Sequence, residues 1–151
     1  MRRSFTGLLA LGGLLTLGAC GDDDATGPED CTDDTGTVDV QITGGSSPTV
    51  SWSPACAVAL FLVEGDEEGD TWLLSTDEAT WDTPSQANRI GPPITYGTVP
   101  AGIDELYGPL DLVPGRRYEV ILWRIPPTGN FDGCLAVFGG ACMIGLEAFT
   151  P

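Results

Sequence analysis

The chain has 151 residues and a formal net charge of −16, since 22 acidic residues stand against 6 basic ones. So acidic a surface repels nucleic acid and anionic lipid headgroups, which excludes nucleic acid as an expected partner. All six basic residues are Arg, and there is no His. The chain therefore lacks histidine, the commonest general base and metal ligand, and lysine, the amine of Schiff-base chemistry. We expect neither catalysis nor a metal site.

The N-terminus carries an export signal. Arg2 and Arg3 precede an apolar run over residues 8–17 that is broken only by small residues. A bilayer core about 30 Å thick needs ~20 apolar residues, so this run is too short to span it. A basic start, a short apolar segment and small residues at its end are typical of a cleaved signal peptide.

The segment ends in Leu17-Gly18-Ala19-Cys20, which resembles the lipobox of bacterial lipoproteins. The resemblance implies that residues 1–19 are removed and that the Cys20 thiol carries a covalent lipid such as palmitate-containing diacylglycerol, with no other cofactor. Gly21 differs from the Asp that retains such proteins in the inner membrane, which favours the outer membrane on its periplasmic or surface side. The alternative is an ordinary secretory cut near Ala19 that leaves Cys20 as a free thiol.

The next segment, 20–35, is predicted to be a flexible stalk. Residues 21–35 contain seven acidic residues and no large apolar side chain, so they cannot bury enough surface to offset chain entropy. Residues 36–151 have the size of one domain with a single core.

This domain shows an all-β pattern. Short alternating or fully apolar segments are separated by Gly, Pro and Asp, and no helical periodicity persists over ten residues. The spacing predicts a sandwich of about seven strands, interrupted by an irregular insertion over residues 75–93. The predicted strand segments are 37–42, 49–53, 57–63, 71–74, 94–99, 106–113, 117–125 and 143–149, with the two proline-flanked segments 94–99 and 106–113 at edges.

Two places in the domain resemble fibronectin type III domains, which belong to the immunoglobulin-like sandwiches. Residues 112–120 (LVPGRRYEV) resemble the family's Leu-x-Pro-Gly-x-x-Tyr-x-Val stretch, and Trp52 matches its core tryptophan. The resemblance implies a tyrosine corner formed by Leu112 and Tyr118, in which the hydroxyl bonds to nearby backbone.

Four cysteines follow Cys20, namely Cys31, Cys56, Cys134 and Cys142. An even number in an exported chain suggests two disulfides, with three possible connectivities. The fibronectin-like topology implies that all four lie at one end of the sandwich. We prefer the pairs Cys31–Cys56 and Cys134–Cys142, mostly because the second pair closes a short hairpin. The alternative is a Cys₄ zinc cluster at that end, although it would lack any C-x₂-C pair.

A candidate surface for an envelope protein partner is an apolar sheet face comprising Phe61, Trp72, Ile121 and Trp123. If this face is exposed, it marks an interaction site, since apolar patches of several hundred Å² are rare on monomers. Alternatively, residues 75–93 or 126–141 fold over the face and enlarge the core, and we expect this second arrangement.

The acidic turn over residues 64–70 could hold Ca²⁺, but it lacks the register of a calcium loop. The expected function is therefore that of a lipid-anchored envelope lipoprotein whose sandwich is a binding or structural module. The alternatives are a module that binds a small ligand, a carbohydrate or Ca²⁺, and a hydrolase with a carboxylate pair.

Overall fold

The computed structural model describes Cys31, residues 36–67 and residues 71–151. The predicted signal peptide, the lipid attachment at Cys20 and all of the predicted stalk except Cys31 lie outside the described residues. Within the described part, nine strands are present, with a 3₁₀ turn over Glu78–Thr80 and a short helix α1 over Pro84–Ala87. The strands are β1 Asp39–Thr43, β2 Thr49–Ser53, β3 Leu60–Gly65, β4 Thr71–Ser75, β5 Ile94–Thr95, β6 Asp104–Tyr107, β7 Tyr118–Arg124, β8 Ala136–Phe138 and β9 Ala141–Phe149.

The strands form two antiparallel sheets, which confirms the predicted all-β sandwich. One sheet has three strands in the order β1-β2-β5, and the other has six in the order β6-β4-β3-β7-β9-β8. The centre of the large sheet is β3, which pairs with β4 on one side and β7 on the other. Strands β5 and β6 lie at sheet edges, as expected for proline-flanked segments. The predicted segment 106–113 is wrong in its bounds, since β6 spans Asp104–Tyr107 and residues 108–113 form no strand.

The core lies between the two sheets. The small sheet contributes Val50 and Trp52, the inward positions expected from the alternation of β2, and the large sheet contributes Phe61, Trp72 and Leu122. The aromatic rings make a continuous series, with centroids 6.3 Å apart for Trp52 and Phe61 and 5.5 Å apart for Phe61 and Trp72. Such aromatic pairs add to the stabilisation from burial alone.

Strand β1 also closes one side of the core against β9. The amide of Val38, just before β1, donates to the carbonyl of Ile144 at 2.8 Å. The two strands approach so closely that a Cβ added at Gly145 would lie 2.9 Å from side-chain carbons of Val40 and Leu122. A residue without a side chain is therefore required at this point of β9.

The connection before β7 has the hydrogen bond that defines a tyrosine corner. The Tyr118 hydroxyl accepts from the backbone N–H of Val113 at 3.0 Å, and Leu112 is buried in the core. Tyr96 makes a second such contact, since its hydroxyl donates to the carbonyl of Leu110 at 2.8 Å. Each hydroxyl attaches a loop to the sandwich where no strand pairing can do so.

Nine strands replace the expected number of about seven, and several bounds differ. The predicted strand 57–63 starts only at Leu60, because Val58 exchanges two backbone hydrogen bonds with Ile90 of the insertion, at 2.9 and 3.0 Å. Strand β8 was not expected at all, since its three residues are too few to show alternation. The predicted segment 94–99 ends as a strand at Thr95, because Gly97 has a φ of 78° and the chain turns there.

Candidate functional site

All four cysteines lie at one end of the sandwich, which we call the disulfide end. Cys31 is bonded to Cys56 and Cys134 to Cys142, so the preferred pairing is confirmed. The alternative prediction of a zinc cluster on these residues is wrong, because their sulfurs are bonded in disulfides and cannot act as thiolate ligands. Each bond closes a loop and so restricts the unfolded chain.

A second contact attaches Cys31 to the sandwich. The buried guanidinium of Arg124, at the end of β7, donates to the backbone carbonyl of Cys31. Arg124 is paired in register with Cys142, and a Cβ added at Gly133 would lie 3.2 Å from the Cα of Gly36. Cys31 and Gly36 therefore lie beside the hairpin that carries the second disulfide.

The predicted partner-binding face is wrong for two of its four residues. Phe61 and Trp72 are fully buried between the sheets, and the Trp72 indole N–H donates to the Glu105 carboxylate at 2.8 Å. Ile121 and Trp123 point to the opposite, outer side of the large sheet, since they alternate with core residues of β7. Strands that are apolar on both sides give no indication of which residue faces inward, so sequence alone could not separate the two sets.

Part of the outer face is covered, as we expected, and the insertion provides the cover. Trp81 packs with Trp123, Ala87 and Ala59 in a second, smaller core. Asn88 fastens the insertion to the end of β7: its side-chain amide donates to the carbonyl of Ile125 at 2.7 Å and its oxygen accepts from the amide of the same residue at 2.9 Å. The covered part therefore belongs to the folding core and is not available to a partner.

Beside the covered part, an apolar row crosses the outer face of five strands. Its members are directly opposed in register, so they lie on one side of the sheet. Both ends of the row are exposed, with Tyr107 at 61 % and Leu146 at 45 %, whereas Ile121, next to Leu146, is buried. The outer row consists of Tyr107 on β6, Leu73 on β4, Leu62 on β3, Ile121 on β7 and Leu146 on β9.

A second apolar surface lies at the disulfide end, on the hairpin formed by β8 and the start of β9. Leu135 and Val137 are each 53 % exposed and Phe138 is 79 % exposed. The hairpin does not fold back over the sheet, so it is not the cover that the sequence allowed. Its uncharged run from Gly133 to Leu146 in so acidic a chain was a visible sequence signal for this surface.

The acidic turn after β3 is described only as far as Glu67. Arg116 forms an ion pair with Asp66 at 3.1 Å and another with Glu67, so these carboxylates are engaged with a cation of the chain itself. Among the residues that the structure describes, no three His, Cys, Asp or Glu side chains are grouped so that they could hold a metal ion.

Within Cys31, 36–67 and 71–151, none of the helices has the length and apolar character needed to cross a membrane.

Two apolar regions of the described surface, the outer row and the β8–β9 hairpin, are candidate contact sites. Searches for similar proteins found no family model, no curated protein and no solved structure that matches the chain.

Proposed function

We propose that this protein is a lipid-anchored lipoprotein of the cell envelope, whose β-sandwich is a binding module for another envelope protein and performs no catalysis. The observation that carries the binding role is the outer row. Five apolar side chains from five different strands lie side by side there, and both ends of the row are exposed. A contiguous apolar surface of this kind, on a rigid sheet, is typical of a protein–protein contact.

The composition of the outer row fits such a contact. The row joins aliphatic side chains to one tyrosine, a residue enriched at interface centres. On one side of the row, the next residues along the strands are polar, since Glu64 is paired with both Thr71 and Glu119. An apolar centre with polar residues at its margin is the usual arrangement of a specific interface.

The lipid anchor is supported by the lipobox-like segment and by the disulfides. Disulfides persist in oxidising compartments outside the cytoplasm, where a lipoprotein would be delivered. The predicted attachment residue, Cys20, precedes Cys31 by eleven residues, and Cys31 is held to the sandwich by both a disulfide and the Arg124 contact. The domain would therefore be tethered through its disulfide end, and Gly21 supports placement in the outer membrane.

A fibronectin type III-like fold is part of this proposal. It is supported by the Tyr118 hydroxyl contact to Val113 and by the buried Trp52 on the second strand. The additional strands β6 and β8, one at each edge of the large sheet, are departures from the seven strands that the resemblance implies.

A site-directed cross-linking experiment tests the binding role. A photo-reactive amino acid is placed at Leu146, at one end of the outer row, and in a matched strain at Leu110, a leucine of nearly equal exposure (44 %) outside the row. On intact cells we expect a reproducible protein adduct from position 146 and none from position 110. Identical adduct patterns at the two positions, or none at either, would remove the outer row as the binding surface.

The anchor is tested separately by intact-mass analysis of the protein extracted from membranes. We expect a chain that begins at Cys20 and carries the mass of its acyl groups. A mature chain without acyl groups would refute the lipoprotein assignment and leave the cross-linking result unaffected.

A further inference from the structure

The β8–β9 hairpin has a fixed shape. Phe138 and Ala141 are opposed in register, so only Gly139 and Gly140 form the turn, and both have positive φ, at 58° and 84°. This two-residue turn matches the twist of paired strands. The Cys134–Cys142 disulfide joins the residues before β8 to Cys142, which is paired with Val137 beside the turn, and the amide of Leu135 donates to the carbonyl of Met143 at 2.9 Å.

The fixed hairpin presents apolar side chains to solvent although nothing in the fold requires it. Val137 and Phe138 on the three-residue edge strand β8, and Leu135 directly before it, pack into neither core cluster. The fourteen residues 133–146 contain no charged side chain, in a chain that carries 28 of them. The tip therefore has neither the charges nor the polar side chains that would orient a specific polar partner.

The position of the hairpin restricts what it can meet. It lies at the disulfide end, beside the residues through which the chain enters the domain, as the approach of Gly133 to Gly36 shows. Cys31 lies eleven positions after Cys20, and an extended chain of that length spans at most about 40 Å. With Cys20 acylated, the disulfide end can thus reach the bilayer surface, and the hairpin is the apolar feature at that end.

We propose that the β8–β9 hairpin inserts its apolar tip into the bilayer that holds the lipid anchor, as a second and non-covalent membrane contact. This inference rests on the proposed lipid anchor. The insertion is interfacial, reaching about 5–10 Å to the boundary between headgroups and acyl chains. The absence of charge from residues 133–146 removes the side chains that resist such insertion, and the turn and disulfide supply the shape in advance.

The consequence is orientation. A lipid tether alone leaves the domain free to turn about its stalk, whereas a second contact fixes which end faces the membrane. The outer row runs from Tyr107 on β6 to Leu146 on β9 and includes none of the exposed residues of the hairpin tip, so it stays accessible to a partner when the hairpin is inserted.

The test uses the full chain, acylated at Cys20, in vesicles of phosphatidylcholine with ordinary or brominated acyl chains, because bromine quenches only indoles that reach the hydrocarbon. Phe138→Trp places a probe at the tip, and Val113→Trp places one at an exposed position of the opposite end, next to Tyr118 at the start of β7. The emission of the unsubstituted chain, measured in the same vesicles, is subtracted. We expect bromine to lower the emission of the tip probe at least about twofold and to leave that of the control probe unchanged.

A further variant, Val137→Asp in the Phe138→Trp chain, should reduce the quenching to the level of the control probe. Intact-mass analysis of each sample separates the two proposals. If the chain is acylated but its tip probe is not quenched, the insertion is refuted and the anchor is not. The same conclusion holds if the emission of the unquenched probe is blue-shifted, which would show that protein covers the tip. A chain without acyl groups refutes the anchor and, with it, the inserted hairpin.

Discussion

Replacement of Gly145 by alanine tests how closely β1 packs on β9. The added methyl would lie 2.9 Å from Leu122 Cδ1, 2.9 Å from Val40 Cγ2 and 3.0 Å from Val38 Cγ2. Carbon atoms prefer separations of about 3.5–4.0 Å, so all three groups must move by several tenths of an ångström or more. Valine has little rotamer freedom, which means that β1 itself must shift. We expect Gly145→Ala to lower the free energy of unfolding by about 2 kcal/mol, as for other overpacked cores.

The assay is urea denaturation of the purified chain with both disulfides intact. With a slope of roughly 2 kcal/mol per molar urea, the midpoint should fall by about 1 M. The matched control is Gly45→Ala, because Gly45 has no atom within 4 Å of its added Cβ and no positive φ. The free energy of unfolding of this control should change by less than about 0.5 kcal/mol. Equal midpoints for the two variants would refute the close approach of β1 to β9.

Three further substitutions address other contacts. Asn88→Ala leaves the buried backbone groups of Ile125 without partners and should lower the free energy of unfolding by about 3 kcal/mol. A denaturation midpoint equal to that of the unsubstituted chain would show that the insertion does not depend on this amide. Tyr118→Phe removes one hydroxyl contact and should cost about 1 kcal/mol in the same assay, whereas an unchanged stability would mean that water replaces the hydroxyl fully. Removal of the Cys134–Cys142 bond by a double alanine substitution opens a loop of sequence separation 8 and should cost about 2.5 kcal/mol, less than the roughly 3.5 kcal/mol expected for the other bond of separation 25. The reverse order of these two effects in thermal or urea unfolding would contradict the loop-entropy argument.

The fold class could be predicted because its evidence is local. In β2, Val50 and Trp52 alternate with small polar residues, so the strand and its inward side are both visible in the sequence. The cysteine pairing was preferred mostly because Cys134 and Cys142 are close enough in sequence to close a short hairpin, and it is confirmed.

The candidate surfaces were harder to predict, for two physical reasons. In β3 and β4 both faces are apolar, so the assignment of Phe61 and Trp72 to the outer face had no support from alternation, and the row through Leu62 and Leu73 was missed. The residues near Val58 are apolar because the insertion pairs with them, and hydrophobicity alone does not distinguish such burial from strand formation.

With the proposed lipid anchor at Cys20, the Cys31–Cys56 bond has a mechanical consequence for the domain. Strands β1 and β2 lie inside the loop that this bond closes. A pulling force that arrives at Cys31 passes through the sulfur atoms to residue 56 and from there to β3, which is held on both sides by β4 and β7. The load therefore shears the best-supported strand of the large sheet instead of peeling β1 from its edge, and reduction of this single bond would transfer the load to β1.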